Sequence, residues 1–266
     1  MDGTIARTSV RLRPIALPTE HGGWGFLLEP IVLGLLIAPT VAGMFLGLAA
    51  INVFLFRHPL ELMIADLRRG KRYPRTFWVC LFVLLYGGAA LCAFVIALWF
   101  ASAPFWMAVL VAVPLATIHI LYNLCKQARH LIPEIAGASA LSGSIAAITL
   151  VAGWGMVAAF ALWAVLIIRA VTAIVYVRTR IRHIRGVTVS TQPTWLAHSV
   201  GFFLILGLTW LQTIPWTATL AFGILLIRAV YGVSPRRTST RVAVVGIQEL
   251  AFGVLTMLLL ALGYIL

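Results

Sequence analysis

A chain of 266 residues that is 62% hydrophobic and 10% charged carries more apolar side chain than one soluble domain can hide, which excludes a water-soluble globule. Nine spans of about 17 to 25 residues would take up most of such a chain, so an all-α integral membrane protein is expected. The net charge of +13 would suggest nucleic acid in a soluble protein; here orientation in the bilayer and attraction to anionic headgroups explain it, and no nucleic-acid partner is expected.

In chain order, residues 1–20 read as a polar cytoplasmic segment without the apolar core of a cleaved signal peptide. Spans are predicted over 23–38, 41–57, 77–99, 104–125, 133–152, 155–177, 195–212, 216–233 and 242–265. No linker divides them, so residues 1–266 are expected to form a single nine-helix domain. Eighteen of the twenty Lys and Arg residues fall in five stretches: Arg7 to Arg13, Arg57 to Arg75, Lys126 to Arg129, Arg178 to Arg185 and Arg236 to Arg241. The alternate connections, near Pro39, Pro104, Gly153 and Pro215, carry none. Short loops rich in Lys and Arg stay on the cytoplasmic side, so the amino terminus is predicted inside and the carboxyl terminus outside. The connections after spans two and six are read as loops of about twenty residues, a length that commonly serves a site. Cys80, Cys92 and Cys125 are scattered singly and read as small apolar residues, not as metal ligands.

Ionisable residues inside spans are costly and face a partner or a hydrated cavity. Counted from the cytoplasmic helix ends at about 1.5 Å per residue, Glu29, Arg169 and Glu249 lie roughly 10 to 15 Å deep and are expected to meet at one level. His119 and His198 lie in the same half, and Arg228 is near enough to its helix end to snorkel. The group reads either as a polar cavity open to the cytoplasm or as an ion pair that locks three helices, and each histidine reads more simply as bonded to a neighbouring helix. The run Glu20-His21-Gly22-Gly23-Trp24 leads into span one. Glu20 and His21 are suited to handling a proton, while Trp24 with the glycines also reads as an interfacial anchor.

The cytoplasmic stretches carry a second constellation. Arg57 and Glu61 lie one helical turn apart if Pro59 starts that turn, and Asp66 follows. Tyr122, Lys126 and His130 form an i, i+4, i+8 stripe with Asn123 beside it, and Arg178, Arg182 and Arg185 share one face. Guanidinium groups so arranged suit phosphate oxygens, although orientation and headgroup contact would use the same residues.

Nine spans with motif-bearing loops after spans two and six resemble the UbiA superfamily of intramembrane prenyltransferases. The run Tyr122-x3-Lys126-Gln127-x2-His130-Leu131-Ile132-Pro133-Glu134-x2-Gly137-Ala138 is similar to the stretch in which those enzymes leave span four and enter span five. The resemblance implies a UbiA-like bundle, and in those enzymes paired acidic motifs hold Mg²⁺ ions that grip a prenyl diphosphate. Here Arg57, His58, Glu61 and Ala65 stand at the first motif, with Asp66 one place later, and Arg178, Arg180, Arg182 and Gly186 stand at the second. Arginine does not ligate Mg²⁺, so no metal site is expected, and the sequence assigns no cofactor. The run Pro18-x-Glu20-His21-Gly22-x-Trp24 resembles that of the uncharacterised YwiC-like bacterial membrane proteins, which implies a place in the bacterial cytoplasmic membrane.

The expected function is binding of an isoprenoid or lipid (di)phosphate, with membrane lipids around it, at an arginine-rich cavity on the cytoplasmic side. Arg57, His58, Tyr122, Asn123, Lys126, His130, Arg178, Arg180 and Arg182 would contact the ligand, and Glu61 or Asp66 would orient the guanidiniums or act as base. Prenyl transfer would then rely on the arginines as fixed positive charge. The alternative is a non-enzymatic transporter, or a lipid- or cofactor-binding subunit, that uses Glu29, His119, Arg169, His198 and Glu249.

Overall fold

The computed structural model describes residues 11–18, 21–71, 73–127, 129–234 and 241–266, with His21 as backbone alone. Glu20 and the His21 side chain therefore lie outside the described residues. Among these residues the chain is helical throughout: α1 Arg13–Ala16, α2 His21–Ile37, α3 Val41–Arg68, α4 Thr76–Phe100, α5 Trp106–Leu124, α6 Leu131–Val151, α7 Met156–Ile184, α8 Gln192–Trp210, α9 Trp216–Gly232 and α10 Val242–Ile265. Seven of them, α3 to α8 and α10, are long and apolar enough to cross a membrane, and two further apolar helices, Gly22–Ile37 and Trp216–Gly232, are shorter. The protein is a multi-pass helical membrane protein.

Helices α2, α6, α7, α8, α9 and α10 pack in sequence around a closed ring, with α10 returning to α2. Helices α3, α4 and α5 lie outside it against α6, α3 and α6 respectively. The sequence of α6 explains its central place. Lipid tails are as apolar as Leu, so membrane helices associate where small residues let backbones approach. The run Gly137, Ala138, Ser139, Ser142, Gly143, Ala146 and Ala147 gives α6 such a surface, and 72% of its apolar window is buried, against 11% for α4 and 6% for α5. A Cβ on Gly143 would stand 2.9 Å from Trp163 of α7, so the indole needs that glycine. Trp163, 2% exposed, donates its ring N–H to the Ser139 carbonyl at 2.9 Å and to Ser142 Oγ at 3.1 Å.

The two expected long loops are not loops. Helix α3 runs on to Arg68 with Pro59 inside it, and α7 runs on to Ile184, which leaves short connections at 69–75 and 185–191. Pro59 removes one backbone donor but leaves φ helical, and the following Leu60-Glu61-Leu62-Met63-Ile64-Ala65 are good helix formers. The site-bearing residues thus stand on rigid helical extensions. The turn after α3 is closed by Asp66, 2% exposed, which accepts from Arg75 Nη2 at 2.7 Å and Nε at 3.3 Å and from Thr76 Oγ1 at 3.4 Å. The side-chain bond to Asp66 raises the pKa of Arg75.

Trp163→Phe, which removes the indole donor and trims the ring, should cost about 1 to 3 kcal/mol. Trp163→Ala should cost about 3 to 5 kcal/mol, read from thermal unfolding in detergent. Unfolding unchanged in both variants would show that the α6–α7 contact is not set by this side chain.

Candidate functional site

Three groups of polar side chains stand on this frame. The first lies between α3, α5 and α6. Arg57 and Glu61, one turn apart, form an ion pair with Nε to Oε1 at 3.7 Å, and Asn123 Nδ2 donates to Glu61 Oε1 at 2.9 Å. His119 completes the group: its Nε2 faces Arg57 Nη1 and lies 3.1 Å from Asn123 Nδ2, and its Nδ1 lies 2.8 Å from the Pro133 carbonyl. A carbonyl only accepts, so Nδ1 carries the hydrogen, and Nε2 accepts from the guanidinium and the amide. The ring packs so closely on α6 that a Cβ on Gly137 would collide with it. Arg57 also lies over the Phe54 ring at 5.7 Å, and Phe54 meets Trp24 edge-on at 5.2 Å. Trp24 is therefore a packing residue between α2 and α3. His58, next in sequence, turns away and bonds the Pro14 carbonyl at 2.9 Å, tying down α1.

The second group sits where α7 meets the first turn of α6. Arg178 Nη1 donates to Glu134 Oε2 at 2.7 Å and to the Arg129 carbonyl at 3.0 Å. His130 is the N-cap of α6 and makes no side-chain cap bond, and its ring lies 6.4 Å from that of Tyr122. Lys126 and Arg129 are exposed beside it. Along α7 the arginines diverge, as 100° per residue requires. Arg178 faces α6, Arg180 is buried at 3% exposure, and Arg182 is exposed one turn beyond Arg178. The structure thus brings Arg178 directly to Glu134 of α6, links Arg57 to the preceding Pro133 only through His119, and turns His58 away from both.

The third group lies inside the ring. Glu249 of α10 pairs with Arg228 of α9 through Oε1, and its Oε2 lies 3.6 Å from Arg169 Nη1 of α7. Arg169 Nη2 also donates to the Glu249 carbonyl at 3.3 Å. Glu29 of α2 packs on Gly253, one turn beyond Glu249, and feels the charges of both Arg169 and Glu249. His198 of α8, bonded to the Thr194 carbonyl at 2.8 Å, faces the Tyr176 ring at 6.1 Å. Arg228, expected to snorkel, is instead 10% exposed and stacked on Tyr176 at 4.0 Å and Phe252 at 4.8 Å. Sequence reasoning missed this residue because its helix, α9, is short and a position near a helix end reads as snorkelling. The pairing signal was present, since two intramembrane acids and one arginine leave one acid unanswered. His119, expected among these residues, belongs to the first group.

The metal chemistry that the UbiA resemblance implies does not fit these residues. Glu61 is held by Asn123 and Arg57, Asp66 by Arg75 and Thr76, and arginines fill the second motif. Among the described residues no three His, Cys, Asp or Glu side chains are grouped to hold an ion.

Residues 17–149, half of the chain, match the family described as YwiC-like protein. The chain is 28% identical over 122 residues to "Uncharacterized protein YwiC" of Bacillus subtilis (strain 168), a match covering 46% of this chain and 48% of that relative. It therefore spans about half the length of the curated relative. No solved structure matches. The matched stretch holds Glu29, the whole Arg57–His119 group and the first turn of α6, and stops short of α7. By that match the chain belongs to the YwiC-like family.

Proposed function

We propose that the chain forms a nine-span, UbiA-like bundle in the bacterial cytoplasmic membrane, amino terminus inside and carboxyl terminus outside, and that its cytoplasmic end binds the phosphate of an isoprenoid or other lipid. The observation that carries this reading is the pairing of Arg178 with Glu134 in the first turn of α6, with Arg57 joined to the neighbouring Pro133 carbonyl through the His119 ring. A helix start offers unpaired N–H groups and the positive end of its dipole, which together favour phosphate. Here the cap side chain leaves those groups open, and Arg178, Lys126, Arg129 and Arg182 add positive charge around them. Glu134 holds Arg178 and would compete with a phosphate for it.

The same contacts favour binding over prenyl transfer. Glu61 and Asp66, the carboxylates expected to act as base, are both engaged by neighbouring donors. The alternative of a transporter or a lipid- or cofactor-binding subunit draws support from a different observation, the ion pairs inside the ring.

Arg178→Ala should weaken binding of a prenyl diphosphate by about tenfold or more, the effect of losing one charge-assisted hydrogen bond, with affinity unchanged by EDTA. Glu134→Gln should strengthen it, because Arg178 is then released. Should both variants weaken binding equally, Arg178 merely braces α6, and affinity that disappears with chelator would contradict a metal-free site. For topology, a cysteine-free background carrying Ser190→Cys should resist an impermeant maleimide in intact cells, and Ser102→Cys should react. The reverse pattern would invert the orientation.

A further inference from the structure

Inside the ring two acids and two arginines share one level, contributed by four helices: Glu29 by α2, Arg169 by α7, Arg228 by α9 and Glu249 by α10. The sharing is uneven. Glu249 takes both guanidiniums, whereas Glu29 makes no ion pair among the described residues. Arg169 is 3% exposed, and its Nε and Nη1 have no hydrogen-bond partner; Nη1 reaches Glu249 only across 3.6 Å. Glu249 Oε2 and His198 Nε2, on a residue 2% exposed, are likewise without one. A buried guanidinium normally has its donors answered, because a donor taken from water and given no acceptor loses a hydrogen bond outright. Arg169 is thus strongly held by neither of the two carboxylates whose charges surround it.

We propose that Glu29 is a reversible proton-binding site within the bundle, and that Arg169 is the group that answers its charge. With Glu29 protonated, Arg169 stays with Glu249, as the geometry has it. When Glu29 releases its proton to water, the new carboxylate draws the unanswered Arg169 donors toward α2, and Glu249 is left to Arg228. The proton is the only species gained or lost, and no bond other than Glu29 O–H forms or breaks. Because Glu29 rests on Gly253, where a Cβ would collide with its carboxylate, the exchange is felt at the α2–α10 seam. The groups that face Glu29 are Arg169 from α7 and Glu249 from α10, with Arg228 of α9 and His198 of α8 behind them. From α6 and α3 the titratable groups Glu134, Arg57 and Glu61 are engaged in their own pairs at the cytoplasmic end. This site uses none of the residues of the α6 phosphate reading.

The test is infrared titration of the full protein in lipid nanodiscs. The wild type should show a protonated-carboxyl C=O band that rises and falls with pH, and Glu29→Gln should lack it. Gly253→Ala keeps every charge and fills the space under the carboxylate, and should move the midpoint by about half a pH unit or more. Arg178→Ala should leave band and midpoint as they are, so failure at the cytoplasmic site is read separately. A band that survives Glu29→Gln, a Glu29 band that does not respond to pH, or an unmoved midpoint in Gly253→Ala would overturn the assignment.

Discussion

A charge within a membrane-spanning bundle has to be answered by an opposite charge or a hydrogen bond within reach, since each isolated one costs about 2.5 to 3.5 kcal/mol at mid-span. That constraint selects which helices meet. Arg169 on α7 is paired with Glu249 of α10, and Arg228 brings α9 against the same carboxylate. Helices α7, α9 and α10 are thereby fixed relative to one another by chemistry that apolar packing in lipid does not supply. The small-residue face of α6 does the complementary work, setting how near the backbones of α5 and α7 come, as the seating of His119 and Trp163 on Gly137 and Gly143 makes plain.

The same constraint changes the meaning of the cytoplasmic arginines. Read as two basic stretches that face the same side of the membrane, Arg57 and the trio Arg178, Arg180 and Arg182 look like one anion trap. In space they stand on rigid helical extensions that send each to a different neighbour: Arg57 to His119 and Glu61, Arg178 to Glu134, Arg182 to the surface. Only a ligand able to displace Glu134 gains Arg178, so affinity at this end depends on competition between a phosphate and a carboxylate already in place. Two negative charges on a phosphate against one on Glu134 favour the phosphate, and the open N–H groups of α6 favour it further.

Much of this was legible in residue order. The long apolar runs placed the helices, and the buried acids flagged Glu29 and Glu249 as needing partners. What sequence could not supply was the length of the extensions past Pro59 and Tyr176, because a run of charged residues after an apolar span reads as loop when it is also amphipathic helix. Nor could it assign His119, whose depth matches that of the ring cluster while its direction around α5 sends it to Arg57. Depth along a helix follows from counting; direction around it depends on which helix stands next door, and that is decided by packing.

Helix α7 carries both Arg169 and Arg178, nine residues and so about 13.5 Å apart. Among the described residues it touches both the ring cluster and the first turn of α6 through charged side chains. The exchange at Glu29 moves the Arg169 side chain between neighbouring carboxylates and leaves the α7 backbone where it is. Arg178 has two acceptors on the 129–134 segment, Glu134 and the Arg129 carbonyl, and rotation of α7 changes its distance to both together. The exchange at Glu29 needs no such rotation, so proton release there leaves Arg178 with its own acceptors, and a phosphate that takes Arg178 from Glu134 leaves Arg169 between the same two carboxylates.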